Sequence, residues 1–366
     1  PKSGVLSRLT GDDFCMLLTH ADTETALEQA QQIREQGDNL RYLQGDKSLQ
    51  ITMSIGVAEF STGSGDAGAA LTSARMACDA AKEHGRDRIE VYDAQNQSMI
   101  RRYDDMHLVG EIQQALDGDQ FELRVQPIKG LSENASDRRF EILLRMRDAD
   151  GETLPSGALF SAAERYRLMP QIDRWVVSHT IARLAACRDA VEEQGAVFAI
   201  NLSGQSLGDD EILEFIEDEI GQSGLPASCL GFEITESAAV SNLVKAQSFI
   251  DRLRALGCVI ALDDFGAGLS SFAYLKNFEV DFLKIDGGFI HDITENRISE
   301  SMVAAITQVA KVMELQTVAE YVGDQKACNL LEELGVDFAQ GHFIGKPVAL
   351  DDALDDLSGT EQSDTA

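Results

Sequence analysis

From about residue 118 onward, short apolar runs alternate with longer stretches of helical spacing. The runs are Phe121–Ile128, Phe140–Met146, Val197–Leu202, Gly231–Thr235, Val259–Leu262, Phe282–Ile285, Thr317–Ala319 and Phe338–Ala339. This rhythm predicts βα units around a parallel sheet. Eight strands spread over roughly 240 residues match the arithmetic of a (β/α)8, TIM-like barrel.

The first ninety residues read differently. Strands are predicted around Phe14–Leu18, across Leu49–Val57 and at Ile89–Tyr92, with helices over Thr23–Glu35 and Ala67–Glu83. Three strands and two helices are few for a doubly wound domain, so a partial α/β domain is expected. The predicted organisation is a partial domain over 1–92, a helical linker over 93–117, a barrel over 118–352 and an acidic, disordered tail over 353–366.

Charge changes this picture more than composition does. The chain carries 62 acidic against 31 basic residues, a net charge of −31. Such a field repels nucleic-acid backbones and anionic bilayers, so neither DNA, RNA nor a membrane surface is an expected partner. A small anionic ligand is still admissible if bound cations invert the sign locally. No apolar run approaches the roughly 20 residues needed to cross a bilayer. A cytoplasmic protein, or the cytosolic part of a longer sensor, is expected. The six cysteines, Cys15, Cys78, Cys187, Cys229, Cys258 and Cys328, form no CxxC pair or metal-ligand spacing, which fits reduced thiols.

Acids and amides recur at the strand ends of the predicted barrel. Glu141 lies early in the second run, Asn201 follows AVFAI, and Glu233 and Glu236 sit in FEITES. Asp263 and Asp264 follow VIAL, Lys284 and Asp286 sit in FLKID, Glu320 follows TVA, and Gln340 follows the last run. A single acid at a strand end is usually a helix cap or a solvated turn. Five or more converging on one barrel mouth repel one another unless cations join them. Hard oxygen donors suit Mg²⁺ or Mn²⁺. Two such ions about 3.5–4 Å apart, bridged by Asp263 and Asp264, would form a clamp for displacement at phosphorus. Lys284 would add a fixed positive charge. The glycines and serines of 263–271 predict a tight, mobile loop suited to gating or dimer contact.

These motifs resemble, in order, the EAL family of cyclic di-GMP phosphodiesterases across roughly residues 110 to 350. Glu141-Ile142-Leu143-Leu144-Arg145 stands for ExLxR. The NLS turn, ExTE, DDFGxGxSS, LKID, AExV and QGxxxGKP follow. The resemblance implies that Glu141, Asn201, Glu233, Asp263, Asp264 and Glu320 bind two divalent cations. It implies catalytic roles for Lys284, Glu320 and Asp264, with Lys284 placing the hydrolytic water. Gln126, Leu143, Arg145, Gln340 and Pro347 would contact the cyclic dinucleotide, and the product would be linear pGpG. It also implies a homodimer through the barrel. One departure stands out: the family's AExVE reads Ala319-Glu320-Tyr321-Val322-Gly323 here. The competing expectation is a catalytically weak or inactive receptor that binds the dinucleotide without cutting it.

Residues 1–92 are similar to the C-terminal part of a GGDEF diguanylate cyclase domain, through Thr10-Gly11-Asp12-Asp13-Phe14, MSIGVAEF and AAKEHGRDRIEVYD. Thr10 replaces a glycine and Asp13 a glutamate, while Pro1 and Gly4 stand where the family's inhibitory-site Arg and Asp belong. No cyclase activity is expected.

Overall fold

The computed structural model describes residues 4–9, 14–19, 21–39, 41–44, 47–50, 52–60, 67–83, 86–92, 108–118, 120–131, 138–147, 153–154, 156–267 and 272–359. The chain divides into two compact units, Pro1–Leu108 and Val109–Ala366.

In the first unit, β1 (Gly4–Arg8) pairs antiparallel with β2 (Phe14–Leu18). Strand β3 (Arg41–Gln44) pairs likewise with β4 (Lys47–Gln50), and β5 (Ile55–Val57) runs parallel to β6 (Ile89–Val91). Helix Ala67–Glu83 buries Met76, Ala77, Ala80 and Ala81. A Cβ on Gly56 would lie 2.0 Å from the Ala74 carbonyl oxygen, so glycine permits that helix to approach β5. Among the described residues six strands therefore replace the three predicted, and the continuous run over Leu49–Val57 is divided between β4 and β5. The missed strands are hairpin partners, and RYLQ and KSLQ lack the two-residue apolar alternation that periodicity detects. The predicted motif residues Thr10–Asp13, together with Pro1, lie outside the described residues.

In the second unit, helix 108–117 buries Ile112 and Ala115 and precedes the barrel; residues 93–107 of the predicted linker lie outside the described residues. The barrel strands are β7 (Phe121–Gly130), β8 (Arg139–Met146), β9 (Val197–Leu202), β10 (Leu230–Thr235), β11 (Val259–Phe265), β12 (Phe282–Ile285), β13 (Gln316–Ala319) and β14 (Phe338–Gln340). They pair in sequence order, and β14 closes onto β7. Strands β8 to β14 are mutually parallel. The sheet is not uniformly parallel as predicted, because β7 is antiparallel to both β8 and β14. Residues 131–138 alone separate β7 from β8. That is shorter than the dozen or so residues of a crossover, so the pair forms a hairpin.

Helices pack outside the barrel through regular apolar stripes. Helix Arg297–Val312 buries Val303, Ile306 and Ala310; Asn296 caps its start by accepting from the Ile298 amide. Helix Asp210–Ser223 is capped by Asp209 and ends at Gly224 with φ 68°. At the amino-terminal end of the barrel, Ile128, Ala261, Phe282, Val318 and Phe338 form one cluster. The Arg139 guanidinium lies over the Phe282 and Phe338 rings at 4.4 and 5.5 Å. Beyond the barrel, β15 (Val348–Ala349) adds to β7. Helix Leu350–Leu357 then buries Leu350, Ala353, Leu354 and Leu357. This corrects the tail predicted from residue 353: the i, i+3, i+4, i+7 spacing of those residues extends the folded unit. Residues 360–366 lie outside the described residues.

Candidate active site

Parallel strands deliver their carboxyl ends to one mouth of the barrel. Strand alternation then decides which side chains face inward. Glu141 on β8 stands opposite Gln126 on β7, and Glu233 on β10 stands opposite Asn201 on β9. The centre of this group is Lys284 on β12, 1% exposed. Its Nζ lies 2.5 Å from Glu233 Oε2, 2.9 Å from Glu320 Oε1, 3.2 Å from Asp263 Oδ1 and 3.5 Å from Glu141 Oε2. Asn201 Nδ2 donates to Glu141 Oε1 at 2.7 Å, and Gln340 Nε2 donates to Glu141 Oε2 at 2.5 Å.

Asp263 and Asp264 are neighbours in sequence, and a regular strand would point them to opposite faces. Here the β11–β12 register shifts between Leu262 and Phe265, and Asp264 takes φ 55°. The irregularity turns Asp264 toward the same centre. Asp263, Asp264 and Glu320 each present a carboxylate oxygen, all within 4.8 Å of one another. A bulge and a left-handed non-glycine residue together mark backbone held in an uncommon shape at a site.

Four carboxylates thus surround one ammonium, and Asp264 stands beside Asp263 and Glu320. Burial opposes the charge on Lys284, but Asp263, Glu141, Glu233 and Glu320 together hold it well above the ordinary lysine range. Burial also drives Glu233 well up from the usual carboxylate range; Glu141 and Asp263 add to this, and Lys284 only partly opposes it. Burial raises Glu320 to about 8, against Lys284 and with the help of Asp263. Asp264 is raised by burial and by Asp263 and Asp286. Glu141 alone moves down: burial pushes it up, but Lys284 and the Gln340 and Asn201 hydrogen bonds outweigh that push. The cluster is short of positive charge. Asp263 Oδ1 is buried without a hydrogen-bond donor, meeting Lys284 only as an ion pair. An all-oxygen donor set with excess negative charge and an unsatisfied buried carboxylate oxygen fits hard divalent cations.

The other predicted contacts divide between two places. Gln126 and Gln340 are buried and bonded to each other: Gln340 Nε2 donates to Gln126 Oε1 at 3.2 Å, and Gln126 Nε2 donates to the Gly345 carbonyl at 3.0 Å. They link the acid cluster to the segment after β14. Arg145 and Pro347 instead line a separate cleft of about 310 Å³ with Arg124, Thr153, His342 and Lys346. Leu143, half-buried, pairs with Arg124 between the two places.

Residues 109–347 match the family model described as EAL domain, and residues 1–88 match that of the diguanylate cyclase, GGDEF domain. The chain belongs to the EAL domain family. It is 34% identical over 350 residues to the cyclic di-GMP phosphodiesterase PdeB of Shewanella oneidensis, covering 94% of this chain and 40% of that protein. It is 36% identical over 260 residues to the cyclic di-GMP phosphodiesterase PdeF of Escherichia coli, covering 71% of this chain and 34% of that protein. The chain therefore spans well under half the length of these curated relatives. Among solved structures, the PaMucR phosphodiesterase in complex with c-di-GMP superposes with a TM-score of 0.63 at 28% identity, covering 68% of this chain and 99% of that one. The FimX EAL domain from Pseudomonas aeruginosa bound to c-di-GMP gives 0.61 at 28% identity, covering 66% and 96%.

Two residues of this EAL domain carry the site's surroundings without having been assigned a role from sequence. Glu236, at the start of helix Glu236–Ser241, accepts from the Gly266 amide at 2.9 Å and from the Tyr274 hydroxyl. It thereby holds the chain on both sides of residues 268–271, the part of the predicted gating loop outside the described residues. Its signal was the three-residue spacing from Glu233. Asp173, on helix Met169–Ala186, accepts from Ser206 Oγ at 2.6 Å and from the Ser203 amide at 3.0 Å, fixing the turn that follows Asn201. No motif announced it.

Burial pushes the Asp173 carboxyl up to about 6, the serine hydrogen bonds opposing. Between its unfolded value near 3.8 and this folded value, the folded state holds the extra proton, so this group's contribution to stability falls as pH rises. Asp173→Asn should remove that slope. Its stability relative to wild type should climb by about 2 kcal/mol between pH 4 and pH 7 in urea titrations. Parallel curves for the two proteins would refute the assignment.

Proposed function

We propose that the barrel hydrolyses cyclic di-GMP to linear 5′-pGpG. Water adds to one phosphorus as its bond to O3′ breaks, and O3′ leaves with a proton. The observation that carries this reading is the cluster of Glu141, Glu233, Asp263, Asp264 and Glu320 around Lys284 at the mouth of the closed barrel. The names of the relatives above give the substrate class. Glu141, Asn201, Glu233, Asp263, Asp264 and Glu320 would hold two divalent cations, Mg²⁺ or Mn²⁺. When bound, such ions supply a water of lowered pKa and neutralise charge on the phosphoryl oxygens.

The chain's own groups do the rest in this proposal. Lys284, whose three N–H donors face the acids, would turn one of them to the attacking water. Glu320, with Asp264 beside it, takes its proton. Gln340 and Asn201 fix the Glu141 carboxylate from two sides. Gln126, Leu143, Arg145, Gln340 and Pro347 position the dinucleotide. Homodimerisation through the barrel and a cytoplasmic location belong to the same proposal; among the described residues no helix is long and apolar enough to cross a membrane. For the first unit we propose no cyclase activity, because Thr10 and Asp13 replace the glycine and glutamate of its motif.

The deciding assay incubates the protein with c-di-GMP and Mg²⁺ or Mn²⁺ and resolves products by chromatography. Appearance of pGpG, lost in Glu141→Ala, supports the hydrolase. Binding without product under both metals would leave the receptor, and neither binding nor product would sink both. The departure at Gly323 is separable. A Cβ there meets nothing within 4 Å, and the residue is exposed. Gly323→Glu should therefore leave the melting temperature unchanged and raise the rate of pGpG formation a few-fold. An unaltered rate would show that the site works without that acid.

A further inference from the structure

Tyr321 combines three features that stability does not explain. It follows Glu320 directly, so its Cα lies about 3.8 Å from that of a cluster acid. It takes φ 54°, a backbone that is strained for a bulky side chain and free for glycine. It is also 75% exposed, the most of any aromatic side chain among the described residues. A ring left in water gains little from burial to offset a strained backbone. Folding alone would favour glycine here.

The chain nevertheless holds this ring in place. The Val322 amide donates to the Gln340 carbonyl at 2.9 Å, and the Phe343 amide donates to the Val322 carbonyl at 3.2 Å. Strands β12 and β13 are paired neighbours, and Gly287 and Tyr321 each stand two residues beyond their ends. A Cβ on Gly287 would lie 2.2 Å from Tyr321 Cδ2 and 2.8 Å from its Cγ, so the ring rests on the space that glycine leaves. Gly287 has no positive φ, so the ring, not the turn, demands a glycine. Partial burial, then the charges of Glu320, Glu141, Asp264 and Asp263, raise the Tyr321 phenol, so its hydroxyl end lies toward the acids.

We propose that Tyr321 is a specificity-determining residue, its exposed ring face a stacking platform for one guanine base of the dinucleotide. The inference rests on the phosphodiesterase reading above. A phosphodiester held at the acids carries a nucleoside on each side, and the residue after Glu320 is within a base's reach. The base is flat and uncharged. Its attraction to an aromatic face is therefore not opposed by a net charge of −31. The matched pair of Tyr321 and Gly287 presents that face beside the acids.

The test is calorimetric binding of c-di-GMP to the full chain in metal-free buffer, where no turnover consumes it, and steady-state pGpG formation with Mn²⁺. The variants are Tyr321→Leu, Tyr321→Phe, Gly287→Ala and the double variant Gly287→Ala with Tyr321→Leu; thermal melts check folding. Tyr321→Leu should weaken binding about tenfold and raise KM to match, with kcat within about threefold. Tyr321→Phe should bind within about twofold of the parent. Gly287→Ala, whose Cβ displaces the ring, should weaken binding as Tyr321→Leu does, and the double variant should be no weaker than either. The Mn²⁺ titration midpoint should stay within about twofold throughout. Parental binding by Tyr321→Leu or Gly287→Ala, additive losses in the double variant, or a parallel loss of Mn²⁺ affinity would overturn the platform and leave the phosphodiesterase reading standing. An unmodified chain that neither binds c-di-GMP nor forms pGpG would overturn that reading itself.

Discussion

Asp263→Asn is expected to melt higher than the unmodified protein in metal-free buffer and to release no detectable pGpG. The two effects share one cause. Asp263 is among the charges that push Glu233, Asp264 and Glu320 upward, and four acids face the single ammonium of Lys284. Removing one negative charge relieves that repulsion by about 1 kcal/mol, or a rise of roughly 2–4 °C in melting temperature for a unit of this size. The same charge is needed to hold a cation, so turnover should fall by about a thousandfold or more. Mn²⁺ supplies the control. At a hundred times its dissociation constant it should stabilise the unmodified protein by about 2.7 kcal/mol and leave the variant nearly unmoved. A variant that melts lower, or responds to Mn²⁺ like its parent, contradicts the assignment of Asp263 to the metal site.

Lys284→Met should act in the opposite direction on stability and in the same direction on activity. Methionine fills a similar volume but leaves Glu141, Glu233, Asp263 and Glu320 facing one another in a buried space. Removing one partner of a buried ionic group typically costs about 3–5 kcal/mol, because the remaining charges have no counterion. Urea denaturation without metal should report a loss of that order. Divalent cations replace the missing charge, so Mn²⁺ should restore part of the stability. Turnover should still fall by about a hundredfold or more, since the hydrogen bond to the attacking water is gone. Unchanged stability in the absence of metal would mean that the acids are balanced by something other than this ammonium.

Both predictions depend on residues that local pattern signals unevenly. Glu141, Glu233, Asp263 and Glu320 stand out because they recur in or beside successive apolar runs. Lys284 lies inside such a run, and only the packed barrel puts it at the centre of four carboxylates. Asp173 looked like an ordinary helical acid.

The sequence by itself determined the barrel strands to within a few residues and the outer helices' apolar stripes, because burial imposes periods of two and 3.6 residues that are local properties of the chain. It also put candidate acids on or beside successive strands, Glu141 early in β8 and Glu320 just after β13. Only the tertiary structure decided that β7 runs against its neighbours and closes the barrel. The same holds for the irregularity at Asp264 that brings adjacent acids to one centre, and for helix Leu350–Leu357 continuing the folded unit. These features depend on hairpin closure, register and through-space charge between distant segments, and no local pattern records them.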